Sequence, residues 1–304
     1  MSIENPQAFI FPGQGTQRVG MAEPLFSHRN PDISALVERT FEEANDIMQT
    51  DLKSLVLNGP NEQLDNPIFT ESAILVTSIA ALRLLGYYDL YPDVVAGHSM
   101  GEHSALVAAE SLSFSQALSL VKSRGEFMQR AKDELPKKMG MAAVLGLTLE
   151  EVEDICQITG AEVANINSEK QIVISGIEDS IINSIRVLGE RKVKRIKVNI
   201  ASHSSLLENM SRRMEFILDD IAINDPKVPF IQNSTAEYAR TAAEVRRGLK
   251  DQITGRVLWL DSVMLMKSDG VKDYVEVGPG KVLSNLIKRI DPRATTRHYE
   301  EFLT

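Results

Sequence analysis

The stretch Val94-Val95-Ala96-Gly97-His98-Ser99-Met100-Gly101-Glu102-His103-Ser104-Ala105-Leu106 constrains the fold of this chain more than any other. An apolar run breaks at Gly97 to Gly101 and continues into residues that suit a helix, the G-x-S-x-G form of a sharp strand-to-helix turn. Such a turn exposes the serine hydroxyl and leaves the next backbone N–H free to hold an oxyanion. Gly97 and Gly101 let the strand and helix come close enough to make it. A five-residue pattern can arise by chance, but here it has the strand before it and the helix after it that the motif demands. Ser99 is the candidate nucleophile, and the surrounding chain is expected to be α/β.

At 304 residues the chain is long enough for one large domain or two smaller ones. Its net charge of -9 argues against a general nucleic-acid binder, which carries a basic excess to neutralise phosphates. The single cysteine, Cys156, has no partner for an internal disulfide and reads as a packing residue. No Cys/His spacing suits a metal, so neither metal nor cofactor is expected. Residues 1–7 have no basic start followed by a long apolar segment, and no apolar run reads as a membrane span. A cytoplasmic protein without membrane association is expected.

Residues 8–11 form a short buried-strand candidate that ends in Pro12-Gly13-Gln14-Gly15-Thr16-Gln17. The glycines flanking Gln14 allow a close backbone approach to a ligand, although neither phosphate-loop spacing is present. Helices are predicted over 32–48, 70–85, from Gly101 through Ala109, and over 114–131. The last contains Arg124 followed by Gly125, a helix-interior glycine that asks for a packing reason. Further strands over 93–96, 228–232 and 274–277 alternate with helices, which predicts a parallel sheet.

Between these parts the order is strand 141–147, helix 148–158, strands 162–167 and 171–175, helix 179–189 and strand 193–200. This β-α-β-β-α-β series is the ferredoxin-like arrangement. The predicted organisation is a parallel-sheet, α/β-hydrolase-like large domain, residues 1–138 and 204–304, with an inserted ferredoxin-like small domain, residues 139–203. Strand 193–200 alternates Ile196, Val198 and Ile200 with Arg195, Lys197 and Asn199. Together with Lys194 it makes the densest positive patch in an acidic chain, either a solvated face or a contact for CoA phosphates or an acidic carrier. His203 lies where the small domain returns to the large one, and Ser205 and Glu208 fit a helix capping box.

The motifs resemble the malonyl-CoA:carrier-protein transacylases of fatty-acid synthesis and the equivalent acyltransferase domains of polyketide synthases. The likeness rests on Phe11-Pro12-Gly13-Gln14-Gly15-Thr16-Gln17, Leu57-Asn58-Gly59-Pro60-Asn61-Glu62-Gln63-Leu64, Gly97-His98-Ser99-Met100-Gly101-Glu102, Arg124-Gly125-Glu126-Phe127-Met128-Gln129, Gln171-Ile172-Val173-Ile174-Ser175-Gly176, Ser202-His203 and Glu276-Val277-Gly278-Pro279-Gly280. It implies that Ser99 attacks the thioester of malonyl-CoA, His203 takes its proton, and the acyl-enzyme then passes malonyl to the phosphopantetheine thiol of a holo acyl carrier protein. It implies an oxyanion hole from the backbone N–H groups of Gln14 and Met100. Arg124 would hold the malonyl carboxylate, and a backbone carbonyl of the segment holding Gln252 would orient His203. His98 is the rival base, with its side chain expected to point away from Ser99. A monomer is expected.

Three departures bear on selectivity. Met100 stands where leucine or glutamine is common, and its side chain is a candidate to line the acyl pocket. Thr70-Glu71-Ser72-Ala73 replaces the frequent Thr-Gln-Pro-Ala, so an acid stands in place of a glutamine. Ser202 before His203 leaves malonyl and methylmalonyl both open, and the fatty-acid and polyketide pathways are not separated. The competing readings are an acyl-thioester hydrolase on the same scaffold, which Arg124 opposes because a plain acyl chain would leave its guanidinium unpaired, and a non-catalytic carrier-docking protein.

Overall fold

The computed structural model describes residues 5–135 and 137–303. Pro136, where the sequence texture changes, and the first four residues, read above for a leader, lie outside them. The described residues contain ten strands: β1 (Gln7–Phe11), β2 (Val94–Gly97), β3 (Met139–Leu145), β4 (Glu162–Ser168), β5 (Gln171–Ile177), β6 (Val193–Ile196), β7 (Phe230–Ile231), β8 (Tyr238–Ala239), β9 (Asp273–Glu276) and β10 (Thr295–His298).

Six of them form one sheet in the order β10-β9-β1-β2-β7-β8. Pairing is parallel from β10 through β7, and β8 closes the edge antiparallel to β7. All of β1 is buried but its first residue, as a strand covered by helices on both faces must be. Phe11 stands opposite Gly97 in the register. The loop that carries Gln14 and the turn that carries Ser99 therefore leave the same carboxyl edge on neighbouring strands, where open parallel sheets bind ligands.

The helix predicted over 70–85 runs Pro67–Tyr87, with the Asn66 side chain accepting from the Ile68 N–H at its start. Its residues from Thr70 to Ala81 are buried without interruption. This corrects the reading of the sequence for membrane spans: by length and composition this helix could cross one. Burial in the core accounts for its apolar character. Helix Phe114–Glu134 packs against it, and a Cβ on Gly125 would stand 2.6 Å from the Ile68 Cα. The bare glycine lets the two helices approach there, which is the packing reason it needed.

The other sheet has the order β4-β5-β3-β6, antiparallel throughout, as the ferredoxin-like arrangement requires. Along β3, Ala142 and Val144 face the helices Leu149–Thr159 and Glu178–Leu188, in a core that also holds Cys156. Met141 and Ala143 point the other way, toward the cleft between the two sheets.

Two local readings need correction. The strand predicted over 193–200 ends at Ile196, where the Val198 N–H folds back on the Ile196 carbonyl at 2.9 Å and pairing stops. Ser205 does not cap a helix through Glu208. A 3-10 turn, Ser205–Leu207, precedes helix Glu208–Asp220, and the Ser205 hydroxyl and N–H both donate to Glu162 of β4. Those bonds tie the return segment after His203 to the antiparallel sheet.

Candidate active site

Ser99 has φ 54°, the left-handed backbone that the elbow requires. The turn is so tight that a Cβ on Gly97 would stand 2.1 Å from the Gly101 carbonyl carbon, and one on Gly101 would stand 2.2 Å from the Phe11 carbonyl oxygen. A connected set of hydrogen bonds holds it. The Ser99 N–H donates to Asn233 Oδ1 at 2.6 Å, Asn233 Nδ2 donates to the Gly97 carbonyl at 2.5 Å, and the Asn233 N–H donates to Glu102 Oε1 at 2.9 Å. Gln252 Nε2 donates to the Ser99 carbonyl at 2.9 Å and to the Glu102 carboxylate. Burial pushes the Glu102 carboxyl up to about 8, against the pull of these hydrogen bonds.

The Ser99 hydroxyl lies 2.7 Å from His203 Nε2. His203 also has a left-handed backbone, φ 59°. Its Nδ1 faces two carbonyls, Gln252 at 2.8 Å and Gly255 at 3.2 Å. Carbonyls only accept, so Nδ1 carries the proton and Nε2 is left to accept from Ser99. Burial, reinforced by the positive charge of Arg124, pushes the His203 pKa down to about 3, so the imidazole is neutral at neutral pH. The arrangement is a hydroxyl facing a neutral, oriented base.

Ser99 and His203 line a cleft of 280 Å³ between the sheets, with Pro12 to Thr16 and Ser202 beside them and Met141, Ala143, Val173, Ile196 and Val198 opposite. The backbone N–H groups of Gln14 and Met100 make no hydrogen bond among the described residues. Met100 itself is fully buried in the main core and not part of this cleft, which corrects the reading of its side chain as a pocket wall. His98 does border the cleft, but its Nε2 lies 2.8 Å from Asn167 Oδ1, and it stands edge-on to Trp259. Ser99 is bonded to His203 and not to His98.

Arg124 is the residue whose surroundings depart most from expectation. It is 2% exposed, and its Nη1 donates to the carboxylate of Glu71, itself fully buried on helix Pro67–Tyr87. Glu71 Oε2 and Arg124 Nε have no partner. The argument that a hydrolase would leave this guanidinium unpaired therefore fails, because an acid of the chain already pairs it. On the outer strand Arg195 donates to Glu178, so that patch is partly neutralised, while Lys194 and Lys197 are exposed. Arg195 borders a separate surface cavity with Lys132, Lys137 and Lys138.

The model of the acyl transferase domain matches residues 8–250. The chain belongs to the acyl transferase domain family. It is 36% identical over 298 residues to the malonyl CoA-acyl carrier protein transacylase of Bacillus subtilis, covering 95% of this chain and 92% of that one. It superposes on the malonyl CoA-acyl carrier protein transacylase of Coxiella burnetii with a TM-score of 0.93 at 34% identity, over 100% of this chain and 97% of that one. A type II polyketide synthase acyl-carrier protein in complex with its malonyl-transacylase gives a TM-score of 0.90 at 31% identity, over 97% of this chain and 96% of that one.

Sequence reasoning about this acyl transferase missed Asn233, Gly255 and the partner of Arg124. Asn233 follows β7, next to β2, so its place just past the carboxyl end of a parallel strand was the available signal. Gly255 left no signal, since it acts through its carbonyl. Glu71 stood out as an acid where glutamine is frequent, but nothing local tied it to a residue on another helix.

Proposed function

We propose that this acyl transferase moves a malonyl group from malonyl-CoA to the phosphopantetheine thiol of an acyl carrier protein, through an ester on Ser99. The observation that carries this reading is the 2.7 Å contact of the Ser99 hydroxyl with a His203 whose other nitrogen is committed to backbone carbonyls. Ser99 Oγ attacks the thioester carbonyl while its proton passes to His203 Nε2. The oxyanion is received by the N–H groups of Gln14 and Met100. As the C–S bond breaks, the CoA sulfur takes the proton back from His203, and the acyl group remains on Ser99. The carrier thiol then attacks the ester by the same path in reverse, giving its proton to His203 and restoring Ser99. Arg124 receives the malonyl carboxylate with parallel N–H donors. CoA is a substrate here, and the reading needs no metal or cofactor.

Malonyl-CoA and carrier-protein chemistry come from the names of relatives that span nearly the whole chain. A second reading, hydrolysis of the acyl-enzyme, is favoured by the pairing of Arg124 with Glu71, which lets a plain acyl group bind without stranding a charge. Intact-protein mass separates the two. With malonyl-CoA, Ser99 should gain a malonyl adduct that persists until holo carrier protein is added and then moves to the carrier. Methylmalonyl-CoA and acetyl-CoA are the comparison donors, and Ser99→Ala should gain no adduct. An adduct that decays to free acid without carrier establishes the hydrolase, and no adduct from any donor overturns both readings.

A further inference from the structure

Arg124, proposed to receive the malonyl carboxylate, is already paired with a carboxylate of the chain, and neither partner lines the cleft that holds Ser99 and His203. Helices Pro67–Tyr87 and Phe114–Glu134 approach most closely where Gly125 meets the backbone of Pro67 and Ile68, and this contact sets Glu71 against Arg124. Glu71 is fully buried and Arg124 nearly so, and no other hydrogen bond of the guanidinium exists among the described residues. Glu71 Oε2 and Arg124 Nε are buried without a partner, an arrangement that costs desolvation without the bidentate bonding that repays it. An incoming malonyl carboxylate would meet a guanidinium whose charge is already balanced. With Glu71 ionised, two carboxylates would share one buried cation.

We infer that Glu71 is a specificity-determining residue, an internal carboxylate that competes with a carboxyl-bearing acyl group for Arg124, so that such a group binds only when Glu71 gives the guanidinium up. This rests on the reading of Arg124 as the partner of the acyl carboxylate. An acyl group without a carboxylate, such as acetyl, leaves the Glu71 pair intact and is not held back by it. The chain therefore discriminates less sharply between malonyl and acetyl than it would with glutamine at the same position, because a neutral amide does not compete for the charge.

A proton on Glu71 is one way to release Arg124. Burial raises the Glu71 pKa while the Arg124 charge and hydrogen bond pull it down. Arg124 is the charged group that acts on Glu71 directly. Glu102 and His103 on helix Gly101–Ala108, and His203 after β6, lie within reach of the Arg124 charge. His103 and His203, held near 3 by burial, stay neutral from pH 6 to pH 8, while Glu102, near 8, titrates in the native chain and in a Glu71 variant alike, so the two proteins are compared at the same pH. Protonated Glu71 does not compete, so carboxyl-bearing donors should gain on acetyl as the pH falls and lose as it rises.

The test measures single-turnover loading of Ser99 by intact mass, with malonyl-CoA and acetyl-CoA at pH 6 and pH 8, for the native chain and for Glu71→Gln. The near-isosteric variant should raise the malonyl-to-acetyl ratio at pH 8 by about tenfold or more, the scale of one charge-assisted contact. Equal ratios in the two proteins overturn the inference and leave malonyl transfer standing. If the variant loads malonyl and the native chain loads acetyl alone, the inference stands and malonyl as the native donor falls. Should Glu71→Gln not fold, Glu71→Met takes its place, since it also removes the competing charge, and a malonyl-to-acetyl ratio equal to that of the native chain overturns the competition.

Discussion

The Ser99 nucleophile set and the buried Arg124–Glu71 pair are built on opposite principles. At the nucleophile end, Ser99, His203, Gln252, Asn233 and Glu102 form one connected set in which the backbone N–H and carbonyl of Ser99 and both nitrogens of His203 have partners. At the anion end, Arg124 and Glu71 satisfy each other by a single bond and leave an atom of each without a partner. The first arrangement pre-organises a hydroxyl and a base before any substrate arrives. The second balances two buried charges through one hydrogen bond. If the inference above holds, the scaffold fixes the chemistry that every substrate shares, and discrimination between substrates falls to a pair that reopens.

The largest expected effect tests whether the anion end is a closed pair. Arg124→Met leaves a fully buried carboxylate without its cation, which should cost about 3–5 kcal/mol of stability. The double variant Arg124→Met/Glu71→Met should recover most of that loss, since it removes both charges. The sign with pH follows from burial, which raises the Glu71 carboxyl above its ordinary 4.5, while Arg124 pulls it back, so removing Arg124 widens the gap from the unfolded value. The deficit of the single variant should therefore grow as pH rises from 5 to 8. Urea unfolding at both pH values measures this, and equal losses in the single and double variants would mean that the pair does not act as a unit.

A smaller effect tests the nucleophile end. Asn233→Ala removes the acceptor of the Ser99 N–H and the donor to the Gly97 carbonyl together. We expect about 1–3 kcal/mol of lost stability and a fall in the rate of Ser99 loading on the order of 10²-fold, the scale for a misplaced reacting atom. Thermal denaturation and quenched loading assays give the two numbers. A variant that loses stability but loads at the native rate would reduce Asn233 to a packing role.

The same contrast explains what was legible in the sequence. The elbow at Ser99 could be read because its requirements are local: a strand, two glycines that no side chain can replace, and a helix. The parallel sheet and the β-α-β-β-α-β insertion were read from periodicity, although β8 and β10 were missed, the one only two residues long and the other strongly polar. Strand 193–200 was drawn too long because its alternation of exposed and buried residues continues past Ile196, after pairing has ended. The Ser205 capping box failed because Glu162, distant in sequence, took the hydroxyl. Long-range pairing also hid the Arg124 site: fifty-three positions separate it from Glu71, and the approach that joins them depends on Gly125.

The smallest effect is an expected constancy, and it bears on whether the nucleophile end is set in advance. Burial holds His203 neutral with a pKa of about 3, where an exposed histidine would lie near 6.5. Its base form is therefore already complete across pH 5 to 7, and a proton lost or gained in solution in that range does not reach it. Acetyl-CoA brings no carboxylate to compete with Glu71, so it isolates this end from the other. Single-turnover loading of Ser99 by acetyl-CoA should change by no more than about twofold between pH 5 and pH 7. An acid limb that falls tenfold per pH unit below 6.5 would place His203 in contact with solvent before catalysis. The site would then have to close around its substrate to become a base, and both ends would be assembled on demand.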